Sequence, residues 1–174
     1  MKFKNFTSYN PEWPEKFEKE KQKIQSILGE QIIDIQHIGS TSIPNLSAKP
    51  IIDIGVLVNS IDNISFFTST LLILDYNYRP DLSSPERIFF KKGNPIEYHL
   101  SIASPKHTFW NRNIIFRDYL RTHPDFTKEY QELKIKNLLE TPESNLNDLS
   151  SSKIYNKGKG DFVKKILDLA DKNL

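Results

Sequence analysis

The sequence predicts an α/β (α+β) domain: a mixed sheet flanked by helices, with a helical C-terminal portion. Three observations carry this. QIIDIQHI (31–38) and PIIDIGVLV (50–58) are rich in Ile and Val and bracket a short polar loop, as a pair of strands does. ERIFFKK and IEYHLSIA flank Gly93, Asn94 and Pro95, the pattern of an antiparallel hairpin. From Ser104 onward the apolar period lengthens to that of a helix.

Element by element, Asn10 is a suitable N-cap with Pro11 at the first helical position, and Trp13, Phe17, Ile24, Ile27 and Leu28 recur at helical spacing until Gly29. The run at 50–58 reads as the more buried strand of the pair. Ile61, Ile64, Phe67, Leu71 and Leu74 place a second helix over 60–74, which would cover one face of the sheet. Tyr76 to Tyr78 starts a third strand, and RPDLSSPE, with its prolines and serines, is expected to be a mobile loop. Helices are expected from Pro105 to about His123, from Pro124 to about Glu140, and from Asp161 to Lys172, with TPESNLNDLSSS as a linker before the last. No internal repeat or domain boundary interrupts this order, so residues 1–174 read as one domain.

A chain of 174 residues is long enough to bury a core without staples. The absence of Cys removes thiol nucleophiles, zinc-thiolate sites, iron-sulfur clusters and disulfide scaffolds. Lys and Arg number 24 against 22 Asp and Glu, so no broad basic surface for nucleic acid is expected. The N-terminus has no apolar h-region and no window nears 18 apolar residues, which predicts a cytoplasmic protein with no membrane partner.

Chemistry concentrates in HIGSTSIPNLSAKPIIDIGV (37–56). Gly39 allows close approach of a ligand to the backbone, and Ser40, Thr41 and Ser42 offer hydroxyls and amides suited to phosphate oxygens; a hydroxyl-rich turn with local bonds is the plainer alternative. Asp53 stands in an apolar strand, where a carboxylate needs a metal ion, a salt bridge such as one to Lys49, or an exposed strand end. Glu97, His99 and Ser101 alternate onto one face of a later strand. Arg117 and Arg121 are spaced i, i+4 on a helix and could clamp a phosphate or pair with acids such as Asp118. His37 would lie near a pocket mouth if the two strands ran parallel.

A Gly-Ser pair after one strand and an acid on the next resembles the nucleotidyltransferase superfamily. More narrowly, YNPEWPEKFEKE, HIGSTSIPNLSAKPIIDIGV, FRDYLRTHP with EYQELK, and YNKGKGDFVKKIL resemble the GrpB family, which is also similar to a domain appended to some dephospho-CoA kinases. The resemblance implies a nucleotidyltransferase-like fold. It also implies a ligand site for a nucleotide or phosphorylated small molecule at the Gly-Ser turn, Gly39, Ser40, Thr41 and Ser42, to which the residue pattern itself adds Lys49, Arg117 and Arg121. Asp53, Glu97 and His99 would be the catalytic and metal-binding groups, holding Mg²⁺ or Mn²⁺ for nucleotidyl transfer. The superfamily's acid, any residue, acid pattern is broken here, because Gly55 stands at the second acid position. Ser101 stands where the GrpB pattern tends to have His. A non-catalytic binding module with a degenerate metal site is therefore the alternative. Tyr155 and Lys159, in the last matching string, are expected either near the same site or as part of a flexible helix lead-in.

Overall fold

The computed structural model describes residues 6–141 and 153–172. Helix α1 (Trp13–Leu28) leads into strand β1 (Ile32–Ile38), strand β2 (Ile52–Val58), helix α2 (Ile64–Leu72) and the short strand β3 (Asn77–Tyr78). The hairpin β4 (Arg87–Lys92) and β5 (Tyr98–Ala103) follows, then α3 (Phe109–Thr122), α4 (Pro124–Glu140), the single turn α5 (Lys153–Asn156) and α6 (Lys159–Asp171). Strand order is β1-β2-β5-β4-β3; β2 and β5 run parallel, and every other pair is antiparallel.

Period-two alternation sorts the strands onto two faces. Ile52, Ile54, Val56, Leu100, Ile102, Ile88 and Phe90 point to one side and form a core with Trp13, Phe17, Ile24 and Leu28 of α1 and Phe67 and Leu71 of α2. Burying each large side chain of this kind stabilises the fold by about 1.5–3 kcal/mol. The opposite face carries Asp53 and Gly55 of β2, His99 and Ser101 of β5, and Arg87, Phe89 and Lys91 of β4. It meets the C-terminal helices, whose own core joins Ile43 and Leu46 to Leu120, Tyr130, Phe162 and Ile166. Ile43 and Leu46 thereby anchor the β1–β2 loop.

Several boundaries move for local reasons. Helix α1 starts at Trp13 because the Asn10 side chain forms a turn, its Oδ1 accepting from the Glu12 amide at 2.9 Å, and Pro14 occupies the first helical turn. Pro50 offers no ladder N–H, so β2 begins at Ile52. Asn63 caps α2 by accepting from the Phe66 amide, which starts that helix later than its apolar spacing predicts. The RPDLSSPE segment, expected to be a mobile loop, is a bonded turn: Arg79 grips Asp81 with two donors, and Ser83 Oγ accepts from the Phe89 amide. Helix α3 begins four residues after the expected Pro105. The expected linker TPESNLNDLSSS lies, but for Thr141, outside the described residues.

Candidate functional site

Antiparallel pairing of β1 and β2 sets Ile38 opposite Asp53, so the turn that leaves β1 lies against the head of β2. Gly39 has φ +70°, and a Cβ there would lie 2.8 Å from the Asp53 Cγ, so both conformation and contact demand glycine. Ser40–Ser42 form one 3₁₀ turn. Asp53 sits at the strand's exposed end with its side chain 34% accessible, and its Oδ1 accepts from His99 Nδ1 at 3.0 Å. Because a carboxylate can only accept, that bond places the His99 proton on Nδ1.

An open cleft of about 320 Å³ lies against this pair. Ser40, Thr41, Lys49, Asp53 and His99 line it, joined by Arg87 and Lys91 from β4, Lys134 from α4, and Tyr155, Asn156 and Lys159 from the C-terminal segment. Five basic side chains thus face one carboxylate. Arg87, Lys91, Lys134 and Lys159 form no ion pair among the described residues. Lys134, 2% exposed, donates to the Ser47 carbonyl at 2.6 Å and to Ser40 Oγ at 3.3 Å. Burial, with Lys49 nearby, pushes its ammonium down to about 7. The Lys159 Nζ lies 3.2 Å from the Tyr155 ring centroid, and burial together with Lys134 and Lys49 pushes it down to about 6. Tyr130, pushed up to about 12 by burial, reaches Ser40 from beneath.

The other expected residues turn elsewhere. Ser42 Oγ donates to the Gly39 carbonyl at 2.6 Å, and Thr41 Oγ1 donates to the Ile51 carbonyl at 3.1 Å. Arg117 is 6% exposed; it bonds the Gln36 side chain, the His37 carbonyl and both Asp118 carboxylate oxygens. Arg121 donates twice to the Ser42 carbonyl, at 3.0 and 2.8 Å. Neither guanidinium lines the cleft. His37 points to the α1 face and stacks on Phe17 at 4.9 Å; with Thr41 Oγ1 already donating to Ile51, His37 Nε2 donates to it at 3.0 Å. The strands pair antiparallel, so the condition that would have set His37 at a pocket mouth is not met. Burial pushes the His37 imidazole down to about 4, Asp53 opposing and Arg121 and Arg117 reinforcing the shift.

Of the three expected metal ligands, Asp53 and His99 meet, while Glu97 precedes β5, is exposed and does not line the cleft. Among the described residues no group of three His, Asp or Glu side chains converges. Gly55 is closed off as well: a Cβ there would lie 3.2 Å from the Trp110 ring and 3.3 Å from Ile38. One carboxylate hydrogen-bonded to an imidazole amid five basic side chains does not fit a two-ion centre.

Lys134, Arg87 and Lys91 were not singled out from sequence. Lys134 had a signal: it falls on the helical stripe Thr127, Tyr130, Lys134, Asn137, Leu138, where burial is expected and lysine is rare. Arg87 and Lys91 alternate with Phe89 on the strand face that pairing with β5 brings beside His99.

A mixed sheet with a Gly-Ser turn against an acid at the head of the neighbouring strand defines a nucleotidyltransferase-type fold. The Cid1 poly(U) polymerase shares it with a TM-score of 0.52 at 12% identity, over 82% of this chain and 46% of that one, a likeness of fold alone. A profile of the GrpB protein family matches residues 5–169, and the chain belongs to that family. GrpB of Enterococcus faecalis superposes with a TM-score of 0.82 at 34% identity, covering 97% of this chain and 98% of that chain. The glutamate-rich protein GrpB of Alkalihalophilus pseudofirmus is 36% identical over 167 residues, 92% of each chain. UPF0157 protein YqkA of Bacillus subtilis is 38% identical over 157 residues, 90% of this chain but 44% of YqkA, so the chain spans less than half of that relative. A dephospho-CoA kinase of Mycolicibacterium paratuberculosis is 23% identical over 151 residues, 72% of this chain and 37% of that protein. No helix among the described residues is long and apolar enough to cross a membrane.

Proposed function

We propose that this GrpB-family chain binds a nucleotide or another phosphorylated small molecule in the cleft between the Ser40–Ser42 turn and α6, and does so as a binding module and not as a two-ion transferase. The observation that carries this is the set of cleft cations, four of them without an acidic partner, around a single carboxylate. Cations gathered beyond what the fold neutralises raise the local concentration of anions and bind phosphate with charge-assisted bonds. Their gathering in a concave site of about 320 Å³ suits a small molecule better than a polymer. The fold neighbour Cid1 holds Mg 3′-dATP, which supports a nucleotide as the ligand class.

The test is calorimetric titration with ATP, pyrophosphate and adenosine. The phosphorylated probes should bind and adenosine should not, and Lys159→Met should weaken ATP about tenfold. Equal binding of adenosine and ATP, or no binding of any phosphorylated probe, overturns the proposal. The competing reading, metal-dependent nucleotidyl transfer through Asp53 with Glu97 and His99, is favoured by the 3.0 Å meeting of Asp53 and His99. It predicts pyrophosphate release from a nucleoside triphosphate in Mg²⁺ or Mn²⁺, lost in Asp53→Asn.

A further inference from the structure

On the cleft face of the sheet, three rows of residues run across β2, β5 and β4: Asp53–His99–Lys91, Gly55–Ser101–Phe89, and Leu57–Ala103–Arg87. In a two-ion transferase the first two rows would carry the carboxylates. Here the second row holds no acid: Trp110 closes the space over Gly55, and Ser101 Oγ accepts from Arg87 Nη1 at 3.0 Å. The Arg87 side chain reaches back one row to make that bond. Its guanidinium is stacked by the Phe89 ring at 4.5 Å and the Phe109 ring at 5.1 Å, and the Leu82 carbonyl accepts from Nη2 at 3.3 Å. Two rings, a hydroxyl and a carbonyl thus hold a permanent cation in one orientation, in the cleft that Asp53 also lines and over the row where metal-binding acids are missing. The carboxylate is close enough to oppose the effect of burial on Arg87.

We propose that Arg87 is a resident cation in the place of a divalent ion, so that the cleft takes its phosphorylated ligand metal-free. This rests on the phosphate-ligand reading above. A protein-held guanidinium supplies positive charge and a planar fork of donors to phosphate oxygens. A metal-chelated triphosphate has part of its negative charge already neutralised, so the free polyanion is the better ligand for this cleft. Lys91, level with His99 in the first row, adds charge on the same β4 side. The lysines of α4 and α6 join from the Ser40 side of the cleft, leaving Asp53 and His99 between two groups of cations.

The experiment is titration of the full chain with ATP in EDTA and, separately, in excess Mg²⁺, for the wild type, Arg87→Gln and Arg87→Lys, with circular dichroism confirming each fold. The wild type should bind in EDTA at least as tightly as in Mg²⁺. Arg87→Gln should lose about tenfold or more in EDTA, and Arg87→Lys, which keeps the charge but not the fork, should lose less. ATP binding that requires Mg²⁺ overturns this inference and leaves the phosphate-ligand reading standing. An Arg87→Gln protein that binds like the wild type does the same. Absence of ATP binding in both buffers overturns this inference, and with it the phosphate-ligand reading if pyrophosphate also fails to bind. Should Arg87→Gln not fold, the comparison of the wild type in the two buffers decides alone.

Discussion

Two groups of basic side chains sit within one loop of each other and are used in opposite ways. Behind the Ser40–Ser42 turn, Arg117 and Arg121 give their donors to the His37 and Ser42 carbonyls, Gln36 and Asp118. In front of it, Arg87, Lys91, Lys134 and Lys159 share a cleft with a single carboxylate and form no ion pair among the described residues. The first group holds the turn in shape with its charge shared with Asp118. Lys134 and Arg87 of the second also bond neutral protein acceptors, but their charge meets no acid in an ion pair among the described residues and is what the proposed ligand would neutralise. Stability and binding should therefore separate on mutation, since removing a satisfied buried cation costs folding energy while removing one of several mutually repelling cations does not.

The largest expected effect is on the sealed side. Arg117→Ala leaves buried acceptors unpaired and should lower unfolding free energy by about 3 kcal/mol in a denaturant titration. Acid should act there as well. The folded His37 is held at about 4 against an ordinary 6.5, so between those values the unfolded chain takes up a proton that the folded one refuses. Stability then falls as pH drops through that window, by about 3 kcal/mol for this group, and His37→Gln should flatten that part of the pH profile. Gly39→Ala should cost about 2 kcal/mol or more, because an alanine at φ +70° is strained and its Cβ drives into Asp53.

On the cleft side, Lys159→Met removes an ammonium that burial and two neighbouring lysines disfavour, so it should leave the unfolding free energy at or above that of the wild type while weakening ATP about tenfold. A stability loss as large as that of Arg117→Ala would break the contrast. The smallest effect is that of pH on affinity. With Lys134 and Lys159 held near 7 and 6 against an ordinary 10.5, the unfolded chain holds more protons above those values, so their contribution to stability grows as pH rises. Affinity for an anion runs the other way, falling several-fold from about pH 6 to 8, and ATP binding at pH 7.5 should take up protons, read as a dependence of binding heat on buffer ionisation enthalpy.

Much of the scaffold was legible because side-chain alternation writes it directly: the two strands, the hairpin, and Asp53 and His99 on one face. The turn at Gly39 was legible too. The destinations of Arg117 and Arg121 were not, because their partners include the His37 and Ser42 carbonyls, and a carbonyl has no sequence identity. Nor was the closing of Gly55, which depends on Trp110 arriving from α3 after the sheet is complete. The direction of β1–β2 pairing, on which the place of His37 depends, is not written in side-chain alternation; the loop rich in Ser and Pro returns the chain antiparallel. Lys134 stands on the buried helical stripe of α4, a signal masked by the many other lysines of the chain.

The most direct measurement is a crystal structure of the chain with ATP bound from metal-free solution. The account predicts phosphate oxygens within hydrogen-bonding reach of the Lys134 and Lys159 ammonium groups and the Arg87 guanidinium, with Arg117 and Arg121 still on their carbonyls. Phosphates bound at Arg117 and Arg121 after those contacts open, or outside the cleft altogether, would contradict it.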